Sequence, residues 1–450
     1  MQADAVATGE DVLADGVLAD RLSDRAAGLN AAGLHKEAET ACREALALVP
    51  GHWVAWANLG VALHRQGRHG AAVPVYLDAI RAWPANADAC SNLGVALNEL
   101  WAMAPSLQAH DAAVSLAPQD AQMRANRAMA LLMAGRLEEG FAAFEARWEL
   151  PQPGIPDGLS AVRWQGEALG GRLLFVWDEG GFGDTLQFIR YVRLLLAQGA
   201  RVALRVQAPL LRLVAQSLPG LEALVSHANP TPAHDLHCPM ISLAQAFATS
   251  LATVPGETPY LAVDRLQALH WRRVLAPLPG PRVGIVWRGA ARPGMVEAQA
   301  MDARRSLPLV QLAPILAVPG IDFISLQLGG EAEIAACGET RLLNPMRGMR
   351  DFADTASLVA GLDLVISVDS AVAHLAGGLG RPVWVISRFD ACWRWLAGRA
   401  DTPWYPGMRV YRPDAPMAWD KLVERIAEDL AGWRRAWGGS TTRFGAIRMT

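Results

Sequence analysis

Two stretches of the chain gather carboxylate, hydroxyl, imidazole and glycine where an apolar strand gives way to a helix. In the first, LLFVWDEGGFGDTLQFIRY from Leu173 to Tyr191, the apolar run ends in Gly180, Gly181 and Gly183, followed by Asp184 and Thr185. Glycines there let backbone come close to a ligand. Asp184 stands where it could take a proton from a bound hydroxyl, or simply cap the coming helix. In the second, Leu364 to Val368 is the apolar run, and Asp369, Ser370 and Ala371 sit where it ends. The free N–H groups of a helix start favour a phosphate, with the Ser370 hydroxyl as an added donor. His374 follows Ser370 by one helical turn and shares its face, although Asp369 also reads as an N-cap and His374 as a core histidine. A dinucleotide fingerprint is excluded because Leu186 replaces its third glycine and the next strand ends without an acidic ribose ligand; no G-K-[ST] follows, which excludes a P-loop.

Cations for a phosphate leaving group are offered by Arg288, after the apolar run Val283 to Trp287, and by Arg304 and Arg305 before Ser306; each also fits a solvated surface. Glu179, Gln187 and Arg190 border the glycine turn as secondary candidates. Trp393, Trp395, Trp404 and Tyr405 cluster late in the chain; Trp395 and its neighbours could stack on a base or sugar, although core packing is the commoner use of such rings. No D-x-D pair occurs, so the usual metal-diphosphate ligand is missing and no metal or cofactor is expected. His227, His234, His237 and Cys238 are irregularly spaced, read as loop residues, and are assigned structural roles.

These residues need a scaffold that ends strands at a common crevice. From Leu173 strands and helices alternate: strand 173–177, helix from 185, strand 201–206, helix near 209–217, strand near 222–225. After a helix at about 265–276 and Pro277, Pro279 and Pro281 the alternation restarts with Val283 to Trp287, Phe323 to Leu326, Leu364 to Val368 and Val383 to Ile386, and a final helix spans roughly 416–436. Two doubly wound halves follow, 172–265 and 266–437, with ligands at the carboxyl ends of their strands.

The first third has a different period. Pro50, Pro84 and Pro118 recur every 34 residues, the length of a tetratricopeptide helix–turn–helix. Trp56, Leu59, Gly60, Leu63, Ala72, Tyr76 and Ala79 give the middle unit; Leu93, Gly94, Leu97 and Ala113 fall in register behind it, and Leu22, Ala26, Leu29, Ala38 and Ala45 before it. A degenerate unit at Asn126 to Leu150 closes an array over 19–150, whose groove suits a polypeptide partner. Residues 1–18 are expected to fray, 151–171 to link with Trp164 docked onto a neighbour, and 438–450 to be disordered. A chain of 450 residues with net charge −3 gives no electrostatic case for nucleic acid or an anionic membrane. Five scattered cysteines and the absence of an apolar span or secretion signal lead to the expectation of a cytoplasmic protein.

Gly183-Asp184 after a glycine-rich turn, with Asp369-Ser370-x-x-x-His374-Leu375 before Gly380-Arg381-Pro382, resembles glycosyltransferase family 9, whose best known members are the lipopolysaccharide heptosyltransferases. The likeness is closer to its subfamily fused to tetratricopeptide repeats, where strings like Glu179 to Tyr191, Trp393-Arg-Trp-Leu396 and Pro403-Trp-Tyr405 recur. Over about residues 170–430 the resemblance implies a GT-B fold of two Rossmann-like halves, a nucleotide-sugar donor held by the second half, and metal-free inversion with Asp184 as base. The chain keeps Arg305-Ser306 but departs from the relatives' asparagine-proline pattern, having Ala290-Ala291 and the stretch from Gly294 to Ala303. The implied function is sugar transfer to a protein acceptor recruited by the repeats, such as flagellin or another surface protein. Transfer to lipopolysaccharide or another glycan is the nearer alternative, and a non-catalytic adaptor on a transferase-like scaffold the further one.

Overall fold

The structure is a computed structural model that describes residues 9–151, 154–160, 162–289, 296–338, 342–390, 392–438 and 448–449. It divides into two compact units, Met1–Pro151 and Gln152–Thr450. Among the described residues the first unit holds helices α1 (Gly9–Ala31), α2 (His35–Leu48), α3 (Trp53–Arg65), α4 (His69–Ala82), α5 (Ala87–Glu99), α6 (Met103–Leu116), α7 (Ala121–Met133) and α8 (Leu137–Phe144).

Close packing within the helix pairs explains the small residues at fixed spacing. A Cβ on Gly60 would lie 2.3 Å from the Tyr76 ring, and one on Gly94 2.7 Å from the His110 ring. Leu59, Leu63, Tyr76 and Leu93 join Ala26, Ala38 and Ala72 in one apolar cluster. Each large side chain so buried contributes about 1.5–3 kcal/mol. The helix starts repeat as well: His52, Asn86 and Asp120 each accept the backbone N–H three residues on, at 3.1, 2.9 and 2.9 Å. Two expectations need correction here. Residues 9–18, expected to fray, begin α1, and the fourth pair starts at Ala121 under its Asp120 cap rather than at Asn126.

The second unit opens with β1 (Leu173–Trp177), α9 (Phe182–Ala197), β2 (Arg201–Arg205), α10 (Leu211–Ser217), β3 (Ala223–Val225), β4 (Leu236–Pro239), α11 (Leu243–Ala246), β5 (Ala262–Val263) and α12 (Arg265–Leu275). It continues with β6 (Arg282–Val286), α13 (Val296–Arg305), α14 (Ala313–Leu316), β7 (Asp322–Ser325), α15 (Glu331–Cys337), β8 (Leu342–Leu343), α16 (Phe352–Val359), β9 (Leu364–Val368), α17 (Ala371–Gly378), β10 (Val383–Ile386), β11 (Met408–Tyr411), α18 (Trp419–Ala436) and β12 (Arg448–Met449).

Two parallel sheets result, one ordered β3-β2-β1-β4 and one β11-β10-β9-β6-β7-β8. The apolar runs are buried on both faces, as parallel strands covered by helices require. Each order reverses once: the first sheet grows outward from β1 through β3 and resumes at β4 on β1's other edge, and the second resumes at β9 beside β6. Crevices at such reversals lie outside the carboxyl ends of the strands. In this unit they fall beside the β1–α9 turn and between the loops after β6 and β9.

Sequence reading erred around the first sheet. His237 and Cys238 are not in a loop but on β4, paired with Phe175 and Val176 of β1. Within the expected linker Trp164 is docked as expected, buried with its N–H donating to the His237 carbonyl at 2.8 Å, and Arg163 beside it bridges to His237. At the other end, Arg448–Met449 falls in the tail expected to be disordered yet pairs in parallel with Ala262–Val263. Among the described residues no helix is long and apolar enough to cross a membrane.

Candidate functional site

The β1–α9 turn is built by its glycines. Gly180 adopts φ of 77°, in the left-handed region that favours glycine. Gly181 is the N-cap, so α9 starts at Phe182 and Asp184 is the third helical residue rather than the cap itself. One carboxylate oxygen of Asp184, Oδ2, accepts the Gly181 N–H at 2.7 Å, half of a capping box. The other, Oδ1, accepts from the guanidinium of Arg394, which stands in the short helical turn Trp393–Trp395 of the second half. Burial works against the Arg394 charge, but the adjacent Asp184 carboxylate holds its pKa above the usual arginine value.

Gly183 presses on the second turn. A Cβ there would meet His374 Cδ2 at 2.9 Å and the Ala371 Cα at 3.7 Å, so the starts of α9 and α17 face each other directly. On α17 the N-cap is Ser370, not Asp369. The Ser370 hydroxyl oxygen accepts the Val372 N–H at 3.3 Å and shares a 2.9 Å hydrogen bond with Ser367. His374 is buried, stacks on Trp395 at 5.2 Å between ring centres, and shares a 2.9 Å hydrogen bond through Nδ1 with the Tyr405 hydroxyl. Burial, and then the charges of Arg394, Arg190 and Arg305, push its pKa well below the usual histidine value, so the ring is neutral at physiological pH.

Arg190 ties the halves together from beneath. Its Nη1 donates to the carbonyls of Pro255 at 2.9 Å and Trp404 at 2.7 Å, and its Nη2 to the Tyr260 hydroxyl at 3.0 Å. The guanidinium also lies 4.5 Å from the Tyr260 ring centre and 4.7 Å from that of Tyr405. Arg212 of α10 makes a second tie, paired with Asp351 at 2.6 Å and with Asp354, both at the start of α16.

The remaining candidates divide. Arg305 reaches the site, donating to the Asp369 carbonyl at 2.7 Å and pairing with Asp302. Arg288 does not; it is drawn aside by the Gly329 carbonyl and by Glu333, both at 2.6 Å. Arg304 pairs with Asp390. Glu179 turns toward β4, where it accepts the Ile241 N–H at 2.9 Å. Among the described residues the buried Gln187 amide and Trp395 indole N–H find no hydrogen-bond partner, an arrangement that costs stability. Ala290-Ala291 and Gly294 lie outside the described residues.

Sequence reading missed Arg394, although it sits inside the quoted tryptophan string, and Tyr260, whose distance of 70 residues from Arg190 hides the contact. It also missed Asp178, buried after β1 between Arg205 at 3.0 Å and His227 at 2.6 Å, beside a cavity of about 620 Å³ at the ends of β2 and β3. His227 thus serves Asp178, while His234 accepts the Ser160 N–H at 2.9 Å. That cavity is not lined by residues of the facing turns.

Fold and site together define a tetratricopeptide-repeat unit joined to a parallel α/β unit of Rossmann-like build. A tetratricopeptide-repeat family model matches residues 28–87. The chain is 29% identical over 339 residues to Protein FlbA of Caulobacter vibrioides, a match covering 69% of this chain and 55% of that protein. It therefore spans about half the length of the curated relative it matches. Among solved structures it is similar to YrrB, a tetratricopeptide protein with an unusual peptide-binding site, at 25% identity over 28% of this chain and 66% of that one, with a TM-score of 0.26. MamA from Desulfovibrio magneticus matches at 24% identity over 29% of this chain and 72% of that one, with a TM-score of 0.26.

Proposed function

We propose that the chain is a metal-independent, inverting glycosyltransferase of GT-B type that moves a sugar from a nucleotide-sugar donor to a protein acceptor recruited by the repeats. The observation that supports this reading is the approach of Gly183, the neighbour of Asp184, to His374 and Ala371 at the start of α17. In the proposed step the acceptor hydroxyl oxygen attacks the anomeric carbon, Asp184 takes its proton, and the nucleoside diphosphate departs with the electron pair of the broken bond. The α17 N–H groups, Arg305 and Arg394 neutralise the departing charge. A diphosphate arriving at α17 competes with Asp184 for Arg394, so donor binding frees the base. Tetratricopeptide repeats commonly bind peptides, which supports a protein acceptor.

A second reading, a non-catalytic adaptor on the same scaffold, is favoured by the occupation of Asp184 by Arg394. Release of nucleotide from a panel of UDP-, GDP-, ADP- and CMP-sugars, with and without EDTA, separates the two. Turnover of one donor that persists in EDTA is the expected result. Activity lost in EDTA and restored by manganese overturns the metal-free mechanism, and saturable donor binding without turnover of any donor favours the adaptor.

A further inference from the structure

The repeat unit holds a group of side chains with no part in the proposed transfer chemistry. His64 in the last turn of α3, His69 at the start of α4 and Glu99 at the end of α5 converge, and one potential ligand atom from each lies within 4.8 Å of the other two. His69 Nδ1 is 2.7 Å from Glu99 Oε2, and His64 Nε2 is 3.3 Å from the same oxygen. The imidazole rings meet edge to face at 4.9 Å. The side chains of His69, Glu99 and His64 are 8%, 16% and 18% exposed, so the group is largely enclosed yet reachable from solvent.

We propose that these three residues form a binding site for a borderline divalent transition metal, zinc first, that fastens the second helix pair to the third. Two imidazoles and one carboxylate are a ligand set that suits zinc, and a solvent molecule at the reachable side completes four-coordination. Metal–ligand bonds of about 2.0–2.1 Å put neighbouring atoms of a tetrahedron about 3.3 Å apart, so the group needs side-chain adjustments and no movement of backbone to close on an ion. The contributing residues come from three successive helices, and their spacing of 5 and 30 residues resembles no contiguous finger motif, which is why it is invisible in the sequence. A carboxylate shared by two histidines through protons alone is the competing use of the same group, and it takes up no metal.

The test uses the full untagged chain, stripped with chelator and desalted. Titration with zinc by calorimetry is expected to show one equivalent bound with micromolar or tighter affinity, and cobalt(II) is expected to give the intense visible bands of a four-coordinate ion. Zinc should raise the melting temperature of the wild type. Glu99→Gln, which keeps the shape and removes the anionic ligand, should weaken zinc binding at least tenfold and abolish the thermal shift, as should His69→Ala. Should His69→Ala fail to give a native circular dichroism spectrum, the more exposed His64→Gln replaces it. No saturable binding in the wild type, or one equivalent bound with unchanged affinity in Glu99→Gln and His64→Gln, overturns the site.

Discussion

Asp184 and Arg394 form a half-buried ion pair across the two α/β halves, between the first turn of α9 and a short helical turn 210 residues later. The pair gives Asp184 a resting partner, and the N–H of Gly181 fixes its other oxygen. Replacing this carboxylate therefore tests chemistry and architecture at once.

Asp184→Asn retains size and an acceptor oxygen for Gly181 but cannot take a proton. Single-turnover rate is expected to fall about 100- to 10,000-fold, the range of general-base contributions. Loss of the charge beside half-buried Arg394 should lower the melting temperature as well, while donor affinity is kept or improved because Arg394 is released. A rate within threefold of wild type would remove Asp184 as the base.

Ser370→Ala deletes the N-cap of α17, at about 1 kcal/mol, together with a hydroxyl at the expected diphosphate position. Nucleotide affinity by calorimetry is expected to drop by about two- to tenfold, since one neutral hydrogen bond contributes about 0.5–1.5 kcal/mol. Unchanged affinity here and in His374→Ala would place the donor elsewhere.

His374 makes stability sensitive to acid. Its pKa is depressed in the folded chain, so below the unfolded value of about 6.5 the unfolded state takes up a proton that the folded state refuses. Stability should then fall as pH drops from about 7 to 5. His374→Gln should flatten that dependence in urea titrations across the same window, and an identical slope in both proteins would refute the buried neutral ring.

Against the opposing effect of burial, hydrogen bonds from Arg350 and then Arg212 hold Asp354 at about pKa 2. A depressed carboxylate stabilises the fold above its unfolded value near 4 and loses that contribution as pH falls toward 2. Asp354→Asn should lower the melting temperature by a few degrees at pH 7, in line with about 1 kcal/mol in a unit of this size. The gap to wild type should narrow between pH 4 and 3; a constant gap would assign the effect to lost packing at α16.

Strands β1, β2, β6, β7, β9 and β10 and both glycine or serine turns were legible because buried parallel strands are continuous apolar runs and helix starts need particular residues. The repeat was legible because Gly60 and Gly94 are needed at one period against large rings. What stayed hidden depended on pairing between distant segments. His237 and Cys238 look like loop residues until β4 is laid beside β1, whose apolar neighbours enclose them. Arg288 and Arg305 look alike in sequence; Glu333 diverts one and Asp369 receives the other, and neither partner is close in the chain. Asp184 was identified by its turn, but its pairing with Arg394 is a product of the fold.

Arg190 is donor to groups of both halves at one buried point, so it sets how the crevice can breathe. A rotation of one half against the other about an axis through Arg190 leaves its bond to the Trp404 carbonyl intact, whereas sliding or rotation about a distant axis breaks that bond and leaves those to Pro255 and Tyr260 within its own half. Any motion that keeps this bond pivots at the guanidinium, and the Arg212 pairs with Asp351 and Asp354 must turn or part with it.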